Sequence, residues 1–160
     1  MLKVVDSFPN YQFVIAGTNI FTDKFYRSFI NYKNVKLVYD ETYGLLSNAS
    51  AALVASGTAT LETALFNVPQ IVCYKTNWLT YVIAKSFIKI EYLSLVNILL
   101  NKAVVKELIQ TTLNRKNLKE GLDIILDEKD AILNDYARLR RLIGKKGASE
   151  NAARFLTASI

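Results

Sequence analysis

The sequence predicts an α/β fold: a doubly wound parallel sheet with a helical C-terminal region. Two observations carry this. Short apolar runs alternate with stretches of helical spacing in the order β-α-β-α-β-α-β-α, joined by short connections. The strand-like runs are apolar almost throughout, as strands buried on both faces of a parallel sheet are. A length of 160 residues, half of them hydrophobic (51%) and about a fifth charged (21%), suits one globular domain with a real core.

The elements follow in order. LKVVDSF has helical spacing through Leu2, Val5 and Phe8, and Pro9-Asn10 is a turn signal. YQFVIAG is the first strand. A helix is predicted from about Thr22 to Tyr32, with Phe25, Phe29 and Ile30 on its apolar side. VKLVYD is the second strand, TYGLLSNA a short helix and AALVA the third strand. A helix from about Thr58 to Phe66 comes next, then PQIVCYK as the fourth strand. After Trp78 the chain is predicted to be mostly helical to its end. No period of 20 to 50 residues repeats and no linker stands out, so residues 1–160 are expected to form a single domain. The first helix has no strand before it. The expectation is that the chain is a fragment, or that this helix packs on something outside it. Four strands with their helices are expected to make a complete layer set that folds by itself.

Composition excludes much. There is no histidine, so neither a Ser-His-Asp triad nor a histidine-bearing zinc site can form within the chain. Cys73 is the one cysteine, which excludes an internal disulfide and fits a reducing compartment. The start MLKVVDSFPN lacks the features of a secretory signal, and no uncharged apolar run approaches about 18 residues. A cytoplasmic location is expected.

ASGTATLETALFNVPQIVCYK, residues 55–75, is the most informative stretch. Ser56-Gly57-Thr58 falls where the third strand stops and a helix begins. Ligands of open α/β sheets bind at such strand ends, and free N–H groups at a helix start favour an anion. Gly57 permits close backbone approach, and Ser56, Thr58 and Thr60 offer hydroxyls. Glu62, one turn further in, would repel a phosphate in contact but can accept bonds from ribose hydroxyls. The combination suits a sugar nucleotide. The alternative is an ordinary capping box, a Ser or Thr with Glu three or four residues on.

Two other segments carry charge or aromatic rings. In NWLTYVIAKSFIKIEY (77–92), Leu79, Val82, Ile83, Phe87 and Ile90 share one helical face. Trp78, Tyr81, Lys85, Ile88, Lys89 and Tyr92 share another. The second face has the composition of a membrane-interface helix, or of a helix packed on both sides with snorkelling lysines. A net charge of +6 favours an anionic membrane surface or an anionic lipid substrate. RLRRLIGKK (138–146) places Arg138, Arg141 and Lys145 on one face. No nucleic-acid module surrounds it, so a solvated or membrane-facing surface is expected and no nucleic-acid partner.

Three separated blocks, SGTATLETAL, VPQIVCYK and IEYLSLVNILLNKAVVKELIQ (90–110), resemble the lipid-A-disaccharide synthase family, and the tail GASENAARFL (147–156) fits the same family. The resemblance covers nearly the whole chain from YQFVIAG onward. It implies the C-terminal, UDP-sugar-binding half of an inverting GT-B glycosyltransferase with two Rossmann-like domains. Such enzymes are bacterial and peripheral at the inner membrane. They transfer diacylglucosamine from UDP-diacylglucosamine to diacylglucosamine 1-phosphate. The acceptor contacts and the proposed catalytic Asp would lie in an N-terminal domain of the same protein, so no catalytic residue is assigned here and the chain alone is expected to be inactive. Two departures, Val96 and Lys106, stand where the family often has proline.

The resemblance implies roles residue by residue. Ser56, Gly57 and Thr58 would lie at the diphosphate and Glu62 at the ribose. Thr60 would join them or fix the turn. Gly17 ends the first strand beside the cleft. Lys75 would neutralise the leaving diphosphate or be solvated. Asn97 would contact the sugar or phosphate, or make an Asx-turn. Glu107 and Gln110, at i and i+3 of a predicted helix, would face the sugar or solvent. No Asp-x-Asp element is present, so a transfer without metal or other cofactor is expected. Another UDP-sugar GT-B enzyme and a non-catalytic interaction module are the alternative classes.

Overall fold

A computed structural model describes residues 1–55, 57–77 and 91–144. A 3-10 turn at Leu2–Ser7 leads into β1 (Phe13–Gly17), α1 (Asp23–Arg27), β2 (Val35–Tyr39) and α2 (Thr42–Asn48). Then come β3 (Ala52–Ala55), α3 (Ala59–Leu65), β4 (Gln70–Tyr74) and α4 (Leu95–Leu100). The chain continues through β5 (Lys106–Ile109), a 3-10 turn at Gln110–Thr112, α5 (Arg115–Asp127) and α6 (Lys129–Ile143). The α/β class, the parallel strands and the helical C-terminal region agree with the sequence reading.

Three features differ from it. Lys106–Ile109 is a strand, where a helical stretch was expected. The first helix is a 3-10 turn, and the helix expected over 22–32 is the short α1. The strands do not form one hydrogen-bonded sheet. β1 pairs with β2, and β4 lies between β3 and β5, all pairs parallel.

The period of two along β4 divides the core. Ile71 and Cys73 point to one face, where they meet Val4, Phe8, Leu108 and the α5 residues Leu118, Leu122 and Ile125. Val72 points to the other, among Ala64, Val96, Leu100, Val105, Tyr136 and Leu139. Helices therefore cover both faces of the three-stranded sheet. Gly121 lets α5 approach, because a Cβ there would stand 2.7 Å from Ile71 Cδ1. The first half is far less sealed. From Pro9 to Leu53 only Gly17 and Val35 are buried.

Burial gives the core an alkaline weakness. It pushes the Tyr136 phenol up to about 12, opposed by the hydrogen bond from Gln70, and the Cys73 thiol up to about 11. Both groups release their protons more readily when unfolded. Their contribution is complete below about pH 9, the ordinary thiol value, and is lost as pH rises through 11 and 12. Each is worth on the order of 2–3 kcal/mol. Urea midpoints measured from pH 8 upward should fall beyond pH 9, and Tyr136→Phe should flatten the decline at the upper end.

Candidate functional site

Parallel pairing brings Gly17, Tyr39, Ala55, Tyr74 and Ile109 to the carboxyl end of their strands. The turn after β3 is exposed at Gly57, Thr58 and Ala59. Gly57 has φ +132°, which L side chains rarely adopt, and a Cβ there would meet nothing within 4 Å. Glycine is therefore needed for the backbone angle and not for space. Thr58 follows in helical geometry, exposed, and its side chain makes no capping bond. The N–H groups of Gly57, Thr58 and Ala59 make no hydrogen bond among the described residues. Ser56 lies outside the described residues.

Thr60 has a different job. It is fully buried, and its hydroxyl donates to Gly57 O at 2.8 Å. Its N–H donates to the same oxygen at 3.2 Å. These two bonds draw the Gly57 carbonyl inward and fix the turn. Gln70 adds a bond from Nε2 to Thr60 O at 2.9 Å. The capping-box alternative is not realised, since neither Thr58 nor Glu62 makes its bonds.

Glu62 is half-buried and has no hydrogen bond or ion pair among the described residues. It lines a cavity of about 360 Å³ with Asp40, Glu41, Thr42, Tyr43 and Gly44. Asn19 Nδ2 donates to Asp40 at 3.0 Å, and the Tyr43 ring stacks on Phe66 with centroids 5.5 Å apart. Three carboxylates in one cavity repel a phosphate and accept from hydroxyls. The cavity therefore suits a hydroxyl-rich group, and the N–H groups after β3, unbonded among the described residues, suit an anion. The stretch 40–44 was not singled out in the sequence. Its signal was a pair of acids, Asp40 and Glu41, at the end of a predicted strand.

The remaining candidates are placed otherwise. Gly17 is buried, and a Cβ on it would stand 2.7 Å from the Tyr39 ring, so it serves packing between β1 and β2. Lys75 is exposed just past β4 and makes no ion pair among the described residues. Glu107 and Gln110 do not share a helical face. Glu107 lies in β5, and Gln110 opens the following turn at φ +50°. The Glu107 carboxylate accepts from Leu93 N (2.9 Å), Ser94 N (2.8 Å) and Asn97 Nδ2 (2.9 Å). Gln110 donates to Thr76 O and accepts from Thr76 N, both at 3.1 Å.

Asn97 is buried, donates also to Val105 O, and accepts from Val104 N and Val105 N. Its amide is fully occupied inside the protein. These three residues hold the loops before α4 and after β4, and their polar groups face protein, where the sequence reading left Asn97 to a sugar, a phosphate or an Asx-turn and Glu107 and Gln110 to the sugar or solvent. The two departures from the family pattern cost little. Val96 lies in the first turn of α4 and Lys106 opens β5, both places where proline is tolerated.

Of the predicted interface helix over 77–92, residues 78–90 lie outside the described residues, as do Lys145, Lys146 and the tail 147–156, and 77, 91 and 92 are not helical. Of the basic run, Arg140 bonds Asn67 and Arg141 bonds Ala137 O. No group of three or more His, Cys, Asp or Glu is arranged to hold a metal among the described residues. No helix among them is long and apolar enough to cross a membrane.

A family described as lipid-A-disaccharide synthetase matches residues 2–159. The lipid-A-disaccharide synthase of Syntrophus aciditrophicus is 42% identical over 122 residues, covering 74% of this chain and 32% of the relative. That of Psychromonas ingrahamii is 44% identical over 100 residues, covering 62% of this chain and 26% of the relative. Lipid-A-disaccharide synthase 1 of Legionella pneumophila is 35% identical over 153 residues, 92% of this chain and 39% of the relative. The chain thus spans roughly a third of the length of these relatives. By a match over nearly its whole length, the chain belongs to the lipid-A-disaccharide synthetase family.

Proposed function

We propose that this chain is the donor-binding half of a GT-B glycosyltransferase that forms the lipid A disaccharide. The full-length protein would move diacylglucosamine from UDP-diacylglucosamine to diacylglucosamine 1-phosphate. The observation that carries the reading is Glu62, a half-buried carboxylate with no partner among the described residues, which lines a cavity one helical turn on from Gly57, Thr58 and Ala59, whose N–H groups make no hydrogen bond among the described residues. The diphosphate lies over those N–H groups, and the ribose hydroxyls bond Glu62. Lys75 supplies positive charge as UDP leaves, and no metal is required. The acceptor site and the catalytic base belong to an N-terminal domain of the same protein.

Calorimetric titration of UDP tests the site. Glu62→Gln keeps the shape and loses a charge-assisted acceptor, worth roughly 1.5–3 kcal/mol, or about ten- to a hundredfold in affinity. Equal affinity in wild type and variant would sink the ribose assignment. No binding by either would favour a turn that serves only the fold.

The same reading puts the protein on the cytoplasmic side of the inner membrane, peripherally. Its support is the net charge of +6 and the aromatic and lysine composition of residues 77–92. Flotation with anionic vesicles that salt abolishes is the measurement, since the charge term is screened over about 8 Å at physiological ionic strength.

A further inference from the structure

Helix α6 is far along the chain from the Gly57 turn, yet it holds α3 at both ends. At the start of α3, the phenol oxygen of the fully buried Tyr136 accepts from Gln70 Nε2 at 3.2 Å. The same nitrogen donates to Thr60 O at 2.9 Å, and the Thr60 hydroxyl holds Gly57 O. At the far end, Arg140 bonds the side-chain oxygen of Asn67, two residues past the last residue of α3. Asn67 stands at φ +60°, and its N–H donates to Ala64 O at 3.0 Å. Tyr136, Leu139 and Arg140 share one face of α6 by their spacing. Between the two polar ends, Tyr136 and Leu139 pack with Leu61 and Ala64 of α3.

Gln70 makes this link specific. It is fully buried at the start of β4, and its Oε1 has no hydrogen-bond partner among the described residues. The amide gives its N–H groups to Thr60 and Tyr136 and leaves its acceptor unused. An unmade bond in a core is unfavourable, and an apolar side chain of similar size would avoid it. What the amide adds over such a side chain is the tie between α6 and the first turn of α3.

We propose that Tyr136 and Gln70 are positioning residues of the donor site, through which α6 sets the pose of the Gly57 turn and of Glu62. The inference rests on the reading that UDP binds there. Neither residue touches the nucleotide. They act because a hydrogen bond weakens steeply as its angle departs from linear, so a small rotation of α3 turns its first N–H groups and the Glu62 carboxylate away from their ligand together. Whatever draws α6 off α3 weakens UDP binding, and by linkage bound UDP holds α6 in place.

Tyr136→Phe keeps the ring and removes the oxygen. Ile125→Val is the control. It lies in α5, in the core cluster on the other face of the sheet, and loses a comparable amount of stability. A further variant, Asn67→Gly, keeps the backbone angle at an exposed position and removes the partner of Arg140. Two quantities are measured well below unfolding. The first is UDP affinity by calorimetry. It should fall about five- to tenfold in Tyr136→Phe, less in Asn67→Gly, and stay within about twofold in Ile125→Val. The second, taken without nucleotide, is hydrogen exchange at the Thr60 amide, which donates to Gly57 O. It should be at least about fivefold faster in Tyr136→Phe than in Ile125→Val.

The two measurements fail separately. A wild-type protein that binds no UDP would sink the nucleotide reading, and Thr60 exchange would then decide alone whether α6 positions the turn. Wild-type UDP affinity in Tyr136→Phe would overturn the inference, as would Thr60 exchange no faster than in Ile125→Val. Equal weakening of UDP binding in Ile125→Val would overturn it too, because affinity would then follow stability and not the tie to α6.

Discussion

Asn97→Ala should lower the stability of the protein by roughly 4 kcal/mol, the largest loss expected from any single polar residue here. Asn97 is 1% exposed and fills all its hydrogen-bonding capacity. Its oxygen accepts from Val104 N at 2.8 Å and Val105 N at 2.9 Å. Its nitrogen donates to Val105 O and to Glu107 Oε1, both at 2.9 Å. Alanine leaves two N–H groups and a carbonyl without partners in a place water cannot reach, and each orphan costs about 1–3 kcal/mol. A domain is typically stable by about 5–15 kcal/mol, so the variant should be near the edge of folding. Urea unfolding reads the loss, and UDP affinity below the transition should be unchanged. A loss under about 1 kcal/mol together with weakened UDP binding would return Asn97 to the role of a ligand contact.

The second large effect concerns turnover. Under the donor-half proposal, the 160-residue chain should form no disaccharide from the two lipid substrates, while the full-length protein does. Positioning two reactants in line contributes effective molarities of about 10⁵–10⁸ M, and a single wall of a cleft cannot hold both. The chemistry of this rim agrees. Its carboxylates Asp40, Glu41 and Glu62 line one cavity suited to hydroxyl groups. A thin-layer assay with both lipids decides the matter. Robust turnover by the chain alone would require a base and an acceptor site among residues given other roles here.

What could be read in advance depended on which physical signal a residue carries. β1 to β4 announce themselves as apolar runs between turn residues, and the structure has each within a residue or two. β5 did not. Lys106–Ile109 is four residues long, and the three-residue spacing of Glu107 and Gln110 reads equally well as one helical face. Only its place beside β4 makes it a strand. α1 shows the opposite error. Phe25, Phe29 and Ile30 were expected on the apolar side of a longer helix, yet Phe25 stacks on Phe21 and meets Phe29 edge to face at the surface, with Phe29 53% exposed.

The site divides in the same way. The turn at Gly57 was legible from a glycine where a strand meets a helix, while Glu62 could be read there either as a ribose contact or as part of a capping box. Asn97, Glu107 and Gln110 were polar residues in a matching family block, and residue type alone cannot tell a bond to a sugar from a bond to a neighbouring loop. Their partners at Thr76, Leu93, Ser94 and Val104–Val105 appear only once β5 lies beside β4.

The bonds of Glu107 and Gln110 also bear on how this fold can vary over generations. Gln110 grips Thr76, and Glu107 grips Leu93 and Ser94, so both ends of the intervening segment are moored to one short stretch of chain. With its ends moored, lengthening such a segment is cheap, since doubling a loop costs only about 0.6 kcal/mol of closure entropy. Insertions and wholesale replacement between Thr76 and Leu93 should therefore be tolerated by the scaffold far better than a single exchange at either mooring. Descendants of this domain can change what they present there without redesigning the sheet beneath.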